Sequence, residues 1–150
     1  MYQQYLEVLK RSKGKLETLS QEFFQNLPSN FSLTSFYLSD RLIGWYITTI
    51  FGGKFYFFLG GIDYTQNRQY NTYFNILLKV VKDGIENKVS EIDLGQTAEI
   101  PKLRLGGILV EKFMLGYHSN LIMGKLLKAG KRFLEYSTVV DEPHVFKNAL

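Results

Sequence analysis

Three consecutive segments rich in aromatic and β-branched residues constrain the fold of this 150-residue chain more than any other feature. They run from Phe31 to Leu38, from Leu42 to Phe51 and from Phe55 to Leu59. Turn-forming residues separate them, first Ser39-Asp40-Arg41 and then Gly52-Gly53-Lys54, and connections this short join neighbouring antiparallel strands. The last two segments are apolar almost throughout, as is typical of strands covered on both faces. The sequence therefore predicts three antiparallel strands near the centre of a sheet.

Apolar residues recur at helical spacing on both sides of these strands. The pattern from Leu6 to Leu27 predicts two helices with a bend near Ser12-Lys13-Gly14, and Pro28 ends the second one. Between Tyr70 and Lys88 we expect one further helix with a single apolar stripe facing the core. The members of that stripe are Phe74, Leu77, Leu78, Val81 and Ile85.

Two more strands and a last helix complete the predicted order. A short strand from Val89 to Leu94 ends at Gly95, and a second strand runs from Ile108 to Tyr117. We expect a helix from about Asn120 to Phe133, with Leu121, Ile122, Leu126 and Leu127 facing inward. The order predicts an α/β (α+β) fold with a mixed sheet, in which a crossover helix leads to a parallel strand. We expect one domain over residues 1–140, a tail over 141–150, and a core that includes Phe55, Phe57, Leu59, Leu77, Val81 and Ile92.

Composition excludes several kinds of site. The chain has no Cys, and His118 and His144 are its only imidazoles, so a disulfide framework, a thiolate zinc site and a cysteine nucleophile are ruled out and no metal is expected. No run of 18 apolar residues and no secretory leader is present, which predicts a cytoplasmic protein without a transmembrane segment. The net charge of +4 favours a polyanionic partner such as a phosphate-bearing cofactor.

Three local motifs, taken in order, resemble a known superfamily. They are Tyr56 to Asp63 (YFFLGGID), the helix with Tyr70 and Asn71 that leads to Ile92-Asp93-Leu94-Gly95, and Lys102-Leu103-Arg104-Leu105-Gly106-Gly107. This arrangement is similar to the Gcn5-related N-acetyltransferase (GNAT) superfamily, in the branch of the Fem-type peptidyltransferases and related single-domain acyltransferases. The resemblance covers about residues 3–135. The usual pyrophosphate loop, Gln/Arg-x-x-Gly-x-Gly/Ala, is absent, because Gly61 is followed by IDYTQNRQY.

The resemblance implies an acyl-CoA N-acyltransferase fold and a function in acyl transfer. The acyl or aminoacyl group would move from a CoA thioester, acetyl-CoA included, or from an aminoacyl-tRNA to an amine, in cell-envelope or peptidoglycan metabolism. The implied partners are a small-molecule amine or a peptidoglycan precursor, a tRNA or carrier protein, and a second copy or partner domain. The alternative is a non-catalytic GNAT-like domain, either half of a two-domain transferase or a binding module, which the missing pyrophosphate loop favours.

The cofactor-binding candidates surround the end of the third strand. Gly60 and Gly61, followed by a helix that begins near Tyr70 and Asn71, would place backbone N–H groups and a helix N-terminus against a phosphate, with Arg68 as the nearest cation. The alternative is that the two glycines only form the turn that leaves a buried strand. We expect the cleft to open at this end of the sheet, where strand carboxyl ends converge.

The catalytic and substrate-binding candidates follow. Asp63 and Asp93 lie at or near strand ends on one expected rim, where either carboxylate could take a proton from an attacking amine or, alternatively, cap backbone N–H groups. The resemblance implies that Tyr117 protonates a leaving thiolate, and that substrate is bound by Gln96, Lys102 and Arg104. Alternatively, Lys102 and Arg104 are a solvated basic pair on a loop. The last helix carries a basic face that would meet a phosphate-rich donor or a carrier protein, or would simply be solvated, and its members are Lys125, Lys128, Lys131 and Arg132.

Overall fold

A computed structural model describes residues 1–12, 18–96, 98–113 and 115–130. They belong to two compact units, of which the first is Met1–Ala98 and the second begins at Glu99. The predicted bend at Ser12-Lys13-Gly14 extends outside the described residues. The predicted tail over 141–150 lies wholly outside them, so the single domain over 1–140 and its tail stay predictions.

The first unit contains four helices and four strands in its described part. Two helices come first, α1 (Tyr2–Arg11) and α2 (Gln21–Gln25), and then three strands, β1 (Phe31–Leu38), β2 (Arg41–Phe51) and β3 (Lys54–Ile62). Two helices, α3 (Tyr64–Tyr70) and α4 (Thr72–Glu86), lead to β4 (Glu91–Asp93). The described part of the second unit contains α5 (Glu99–Leu103) and α6 (Leu121–Ala129).

The four strands form one mixed sheet in the order β1-β2-β3-β4. The first three are antiparallel and β4 runs parallel to β3, so the predicted α/β fold with a crossover to a parallel strand is confirmed. Ser39, Gly52 and Gly53 take positive φ in the two tight turns that join the antiparallel strands. Lys54 and Glu91 lie opposite each other where β3 and β4 begin, and their side chains form an ion pair at 2.6 Å.

Helices cover both faces of the sheet, as the apolar second and third segments require. On one face Tyr5 of α1 and Phe24 of α2 pack with fully buried Trp45. On the other face Tyr46, also fully buried, packs with Ile76 and Val80 of α4. Successive residues of a strand point to opposite faces, so the buried run in β2 supplies both halves of the core.

The helix predicted from Tyr70 to Lys88 is confirmed as α4 (Thr72–Glu86), but its buried stripe is rotated from the predicted one. Leu77 is buried as predicted, but Leu78 and Ile85 are exposed. Small residues make the closest contacts with the sheet: a Cβ on Gly84 would lie 2.5 Å from Cδ1 of Ile92. The buried positions are Thr72, Ile76, Leu77, Val80 and Gly84. Of the predicted core, Phe55 and Leu77 are buried, whereas Phe57, Leu59, Val81 and Ile92 are half-buried.

The prediction of a strand from Ile108 to Tyr117 is wrong for the described residues of that range. A β-strand needs a neighbouring strand that forms hydrogen bonds with it, and this segment has no such neighbour in the described part of the chain. Its apolar side chains are also exposed, Phe113 at 88% and Leu115 at 98%. The last helix is present as α6, capped by Asn120, whose side chain accepts from the backbone N–H of Ile122. Its apolar residues Leu121, Ile122, Leu126 and Leu127 are exposed rather than inward.

Candidate functional site

The strands β3 and β4 pair over only three residues, and the edge of β3 beyond that pairing, which we call the gap between β3 and β4, has no strand beside it in the described part of the chain. Their pairing runs from Lys54–Glu91 to Tyr56–Asp93 and ends there, while β3 continues for six more residues to Ile62. In the described part of the chain, that stretch of β3 therefore has β2 on one side and no strand on the other. A gap of this kind in a parallel pair can admit an extended ligand between two strands.

Backbone groups of β3 face this gap. The N–H of Asp63 donates to the carbonyl of Ile43 in β2 at 2.9 Å, so by strand alternation Ile62 and Gly60 turn their N–H and C=O groups the other way. A β-bulge lies just before them, because Ile47 pairs with Leu59 and Thr48 with Phe57, leaving Phe58 without an opposite residue. Gly60 thus presents a donor and an acceptor to the gap with no side chain beside them.

The two glycines are strand residues, so their interpretation as a turn is wrong. Gly60 and Gly61 pair with Tyr46 and Trp45 of β2, and neither has positive φ. Glycine is required at both positions because a larger residue would clash with Trp45. A Cβ on Gly61 would lie 2.5 Å from Nε1 of Trp45, and one on Gly60 would lie 2.9 Å from the Trp45 carbonyl oxygen. The indole of Trp45 lies so close to the backbone of β3 that only glycine fits at position 61.

Asp63 has the contacts of a helix cap. Its Oδ1 accepts from the backbone N–H of Thr65 at 2.9 Å and from the Thr65 hydroxyl at 2.6 Å, which places it at the N-cap of α3. Its Oδ2 accepts from Arg41 at 2.6 Å. These hydrogen bonds, that of the Thr65 hydroxyl above all, hold the pKa of Asp63 below its ordinary value. A carboxylate with both oxygens engaged is a weak proton acceptor near neutral pH, so the cap explains Asp63 better than the predicted base does.

Asp93 lies at the mouth of the gap, far from Asp63. It is the last residue of β4 and pairs with Tyr56, and its Oδ1 accepts from the backbone N–H of Gly95 at 2.7 Å. Asp63 follows Tyr56 by seven residues, which at about 3.3 Å per residue separates the two carboxylates by roughly 20 Å. Both carboxylates lie at the carboxyl ends of strands, but these two ends are far apart because β3 is much longer than β4. The structure does not bring them into one site.

The other cofactor-binding candidates lie on α3 and at the start of α4. Arg68 and Tyr70 belong to the last turn of α3, where the Arg68 side chain is exposed. Asn71 joins the two helices with φ of 47° and ψ of 41°. The helix α3 was not predicted, and the Asp63-x-Thr65 cap was the signal that could have found it. Asn67, also missed, accepts at Oδ1 from the N–H of Tyr73 at 2.9 Å and so occupies one of the first N–H groups of α4.

The substrate-binding candidates and Tyr117 are divided between the two units. Gln96 is exposed and lies in the first unit, just after Gly95, which has φ of 74°. In the second unit Lys102 is buried in α5, with 7% of its surface exposed, and Arg104 is exposed in the following turn. Tyr117 is 90% exposed and ends no strand. Of the basic face, Lys125 and Lys128 are exposed on α6, and Lys131 and Arg132 lie outside the described residues.

A partly buried chain of hydrogen bonds, which the sequence analysis did not predict, crosses from the sheet to α4. The hydroxyl of Tyr46 donates to Asp83, and Asp83 also accepts from Lys79. Burial, together with the Asp83 carboxylate, raises the pKa of Tyr46 far above its ordinary value. This chain of hydrogen bonds links α4 to the sheet through the neutral phenol of Tyr46. No spacing in the sequence marks it, because its members lie 37 and 4 residues apart.

A shallow cavity of about 280 Å³ lies beside this chain. Polar residues on two strands and α4 dominate its lining, among them Ser32, Thr34, Thr48, Thr49, Asp83 and Asn87. Phe55, at the start of β3, also lines it, whereas the predicted cleft lies at the end of β3. The cavity is therefore distinct from the gap between β3 and β4.

The described residues contain neither a candidate metal cluster nor a helix that could span a membrane. No cluster of three or more His, Asp or Glu side chains in that part of the chain is arranged to hold a metal ion. None of the described helices combines the length and the hydropathy needed to cross a bilayer.

Comparison with known proteins agrees with the topology. The family described as the acetyltransferase (GNAT) domain matches residues 1–102. The matched range begins before α1 and ends within α5, so it contains all four strands and the gap between β3 and β4. No curated protein and no solved structure gives a significant match. The chain therefore belongs to the GNAT acetyltransferase domain family, whose general activity is acyl transfer.

Proposed function

We propose that this chain is an N-acyltransferase that holds an acyl thioester, with acetyl-CoA the simplest donor, in the gap between β3 and β4. The observation that carries the proposal is the end of β4 at Asp93 while β3 continues to Ile62. The gap gives an extended, amide-containing arm a strand edge to pair with, and backbone hydrogen bonds are the usual means of binding such an arm. A bound thioester supplies the electrophilic acyl carbon.

Each residue around the gap has a proposed role that follows from its position. The backbone N–H and C=O of Gly60 and Ile62 orient the arm along β3, because they face the gap. Arg68, exposed in the last turn of α3, supplies the positive charge for the phosphates of the donor. Asp93 at the mouth of the gap takes the proton of the attacking amine, a role that its position beside the unpaired edge of β3 favours.

The Fem-like resemblance extends the proposal to substrates. An aminoacyl-tRNA is then an alternative donor, and a peptidoglycan precursor, or another small amine, is the acceptor, with Gln96 of the first unit as a residue that contacts it. A cytoplasmic location and a carrier protein, second copy or partner domain belong to the same proposal. What supports them is the order of the three sequence motifs, whereas the family match over residues 1–102 supports acyl transfer in general.

A non-catalytic domain is the second candidate, and one observation favours it. The Asn67 side chain already accepts from the N–H of Tyr73 at the start of α4, where GNAT-type proteins with the usual loop would offer free N–H groups to a pyrophosphate. Such a domain would serve as half of a two-domain transferase or as a binding module. A non-catalytic domain would have the same gap between β3 and β4, but it would not bind the CoA phosphates.

Thermal shift distinguishes the two candidates. Acetyl-CoA, longer acyl-CoAs and free CoA are added to the chain, and a ligand at 100 times its Kd stabilises the protein by about 2.7 kcal/mol. For a chain of this size we expect the melting temperature to rise by about 5–10 °C. No shift with any CoA species at millimolar concentration contradicts the thioester proposal and favours the non-catalytic domain.

Charge reversal tests the phosphate contact separately. Arg68→Glu should weaken CoA binding by about 1–3 kcal/mol, the size of a lost charge-assisted hydrogen bond, and leave the free protein's melting temperature nearly unchanged. The matched control is Lys10→Glu, since Lys10 is equally exposed in the last turn of α1. Equal losses from both variants would show that only the general positive field attracts CoA.

A further inference from the structure

The second unit exposes far more apolar surface than a solvated protein normally does. Over residues 108–127 the exposed side chains include Ile108, Val110, Phe113, Leu115, Tyr117 and Leu121, and the last of these is 82% exposed. Apolar patches of this extent mark a surface that another body covers. The described residues of the chain do not cover it.

The helix α6 is amphipathic, with lysines opposite its apolar face. At about 100° per residue, Ile122, Met123, Leu126 and Leu127 fall within an arc of about 140°. Lys125 and Lys128 lie on the opposite side, and both are exposed. Leu121 lies between the two lysines on that side, and the helix contains no acidic residue, so every charge on it is positive.

We propose that α6, with the apolar segment 108–117 before it, docks on the surface of an anionic lipid bilayer. A helix with an apolar arc and a lysine-bearing face lies in the plane of the bilayer interface, with its apolar side chains below the headgroups. The long side chains of Lys125 and Lys128 reach up to anionic headgroups while their methylene stems lie along apolar surface. The bilayer thus matches both the exposed apolar arc and the uncompensated charge.

The charge argues for lipid rather than for a second copy of the chain. Two copies of α6 packed through their apolar arcs would cover the apolar residues but would leave Lys125 and Lys128 of each copy on the outer side, where the helix has no carboxylate to compensate them. An anionic bilayer instead attracts each lysine with about 1 kcal/mol. The proposal is independent of the acyl-transfer proposal, because it concerns only the second unit.

Vesicle co-sedimentation of the full chain tests the proposal. Vesicles of phosphatidylcholine mixed with phosphatidylglycerol should bind the chain, vesicles of phosphatidylcholine alone should bind it much less, and added salt should weaken binding. Replacing both lysines, Lys125→Gln with Lys128→Gln, should weaken binding to the mixed vesicles about 30-fold, since each lost lysine costs about fivefold. Leu126→Asn should weaken binding to both kinds of vesicle.

A matched control removes the same charge elsewhere. The double variant Lys10→Gln with Lys82→Gln takes two exposed lysines from α1 and α4 and should bind the mixed vesicles nearly as the parent does. Equal losses in both double variants overturn the proposal, because then only net charge matters. So does a concentration-dependent dimer, seen by light scattering, that Leu126→Asn abolishes. Slow amide exchange over residues 108–117 without lipid also overturns it, since the chain itself would then cover that segment.

Discussion

Replacing Gly61 by alanine tests whether the glycines of β3 are required by the packing of Trp45. The new Cβ would lie 2.5 Å from Nε1, 2.6 Å from Cε2 and 2.8 Å from Cζ2 of the indole, against an ordinary contact of about 3.4–4 Å. The indole cannot swing away, since Trp45 is fully buried and packs edge-on against the ring of Phe24. Overpacking of this kind costs about 1–3 kcal/mol, and the lower entropy of the unfolded alanine chain offsets about 0.4–1 kcal/mol.

We therefore expect Gly61→Ala to lose about 1–2 kcal/mol of unfolding free energy, which lowers the melting temperature by about 2–8 °C. Circular dichroism melts of the parent and the variant measure it. Gly116→Ala is the control, because nothing lies within 4 Å of its Cβ position, and it should stay within about 0.5 kcal/mol of the parent. In a Trp45→Leu background the cost of Gly61→Ala should nearly disappear. An unchanged melting temperature for Gly61→Ala, or an equal cost in both backgrounds, would refute the reasoning.

Two further predictions concern carboxylates with defined partners. Asp63→Ala should destabilise the chain by about 0.5–2 kcal/mol at neutral pH, because α3 loses its cap and Arg41 its partner. Since the pKa of Asp63 is lowered on folding, its contribution is present above the ordinary carboxyl pKa and is lost as the pH falls through the lowered value. Urea titrations at pH 7 and near pH 3 should thus show the difference between parent and variant shrinking in acid, and a difference independent of pH would contradict this. Tyr46→Phe should cost about 1–2 kcal/mol in the same titration at pH 7, because the partly buried Asp83 loses a donor, and an unaltered stability would show that the hydrogen bond contributes nothing.

The elements that the sequence predicted correctly have local signals. The three antiparallel strands follow from apolar segments and from turns at Ser39 and at Gly52-Gly53, where the structure has positive φ. The helix α3 was missed because YTQNRQY has no apolar period and is stabilised by its cap. The strand predicted over 108–117 failed because an apolar run indicates contact with another surface, but does not indicate that the surface is a strand.

The site was predicted less completely than the fold, since it depends on distances that no local pattern contains. The sequence placed Asp63 and Asp93 at strand ends correctly. It could not show that β3 has nine residues and β4 three, so that the two carboxylates lie roughly 20 Å apart. Nor could it show that Gly61 lies against Trp45, a contact between residues 16 positions apart that the antiparallel register creates.

Amide hydrogen exchange in the presence of acetyl-CoA tests the central claim most directly. The N–H groups of Gly60 and Ile62 face the gap beyond the end of β4, so in the free chain they should exchange faster than the N–H of Gly61, which faces β2. Saturating acetyl-CoA should slow exchange at Gly60 and Ile62 and leave the amides of β1 unchanged, as resolved residue by residue by NMR. If acetyl-CoA binds and the exchange of Gly60 and Ile62 does not slow, the donor does not occupy the gap between β3 and β4, and the account of the active site is wrong.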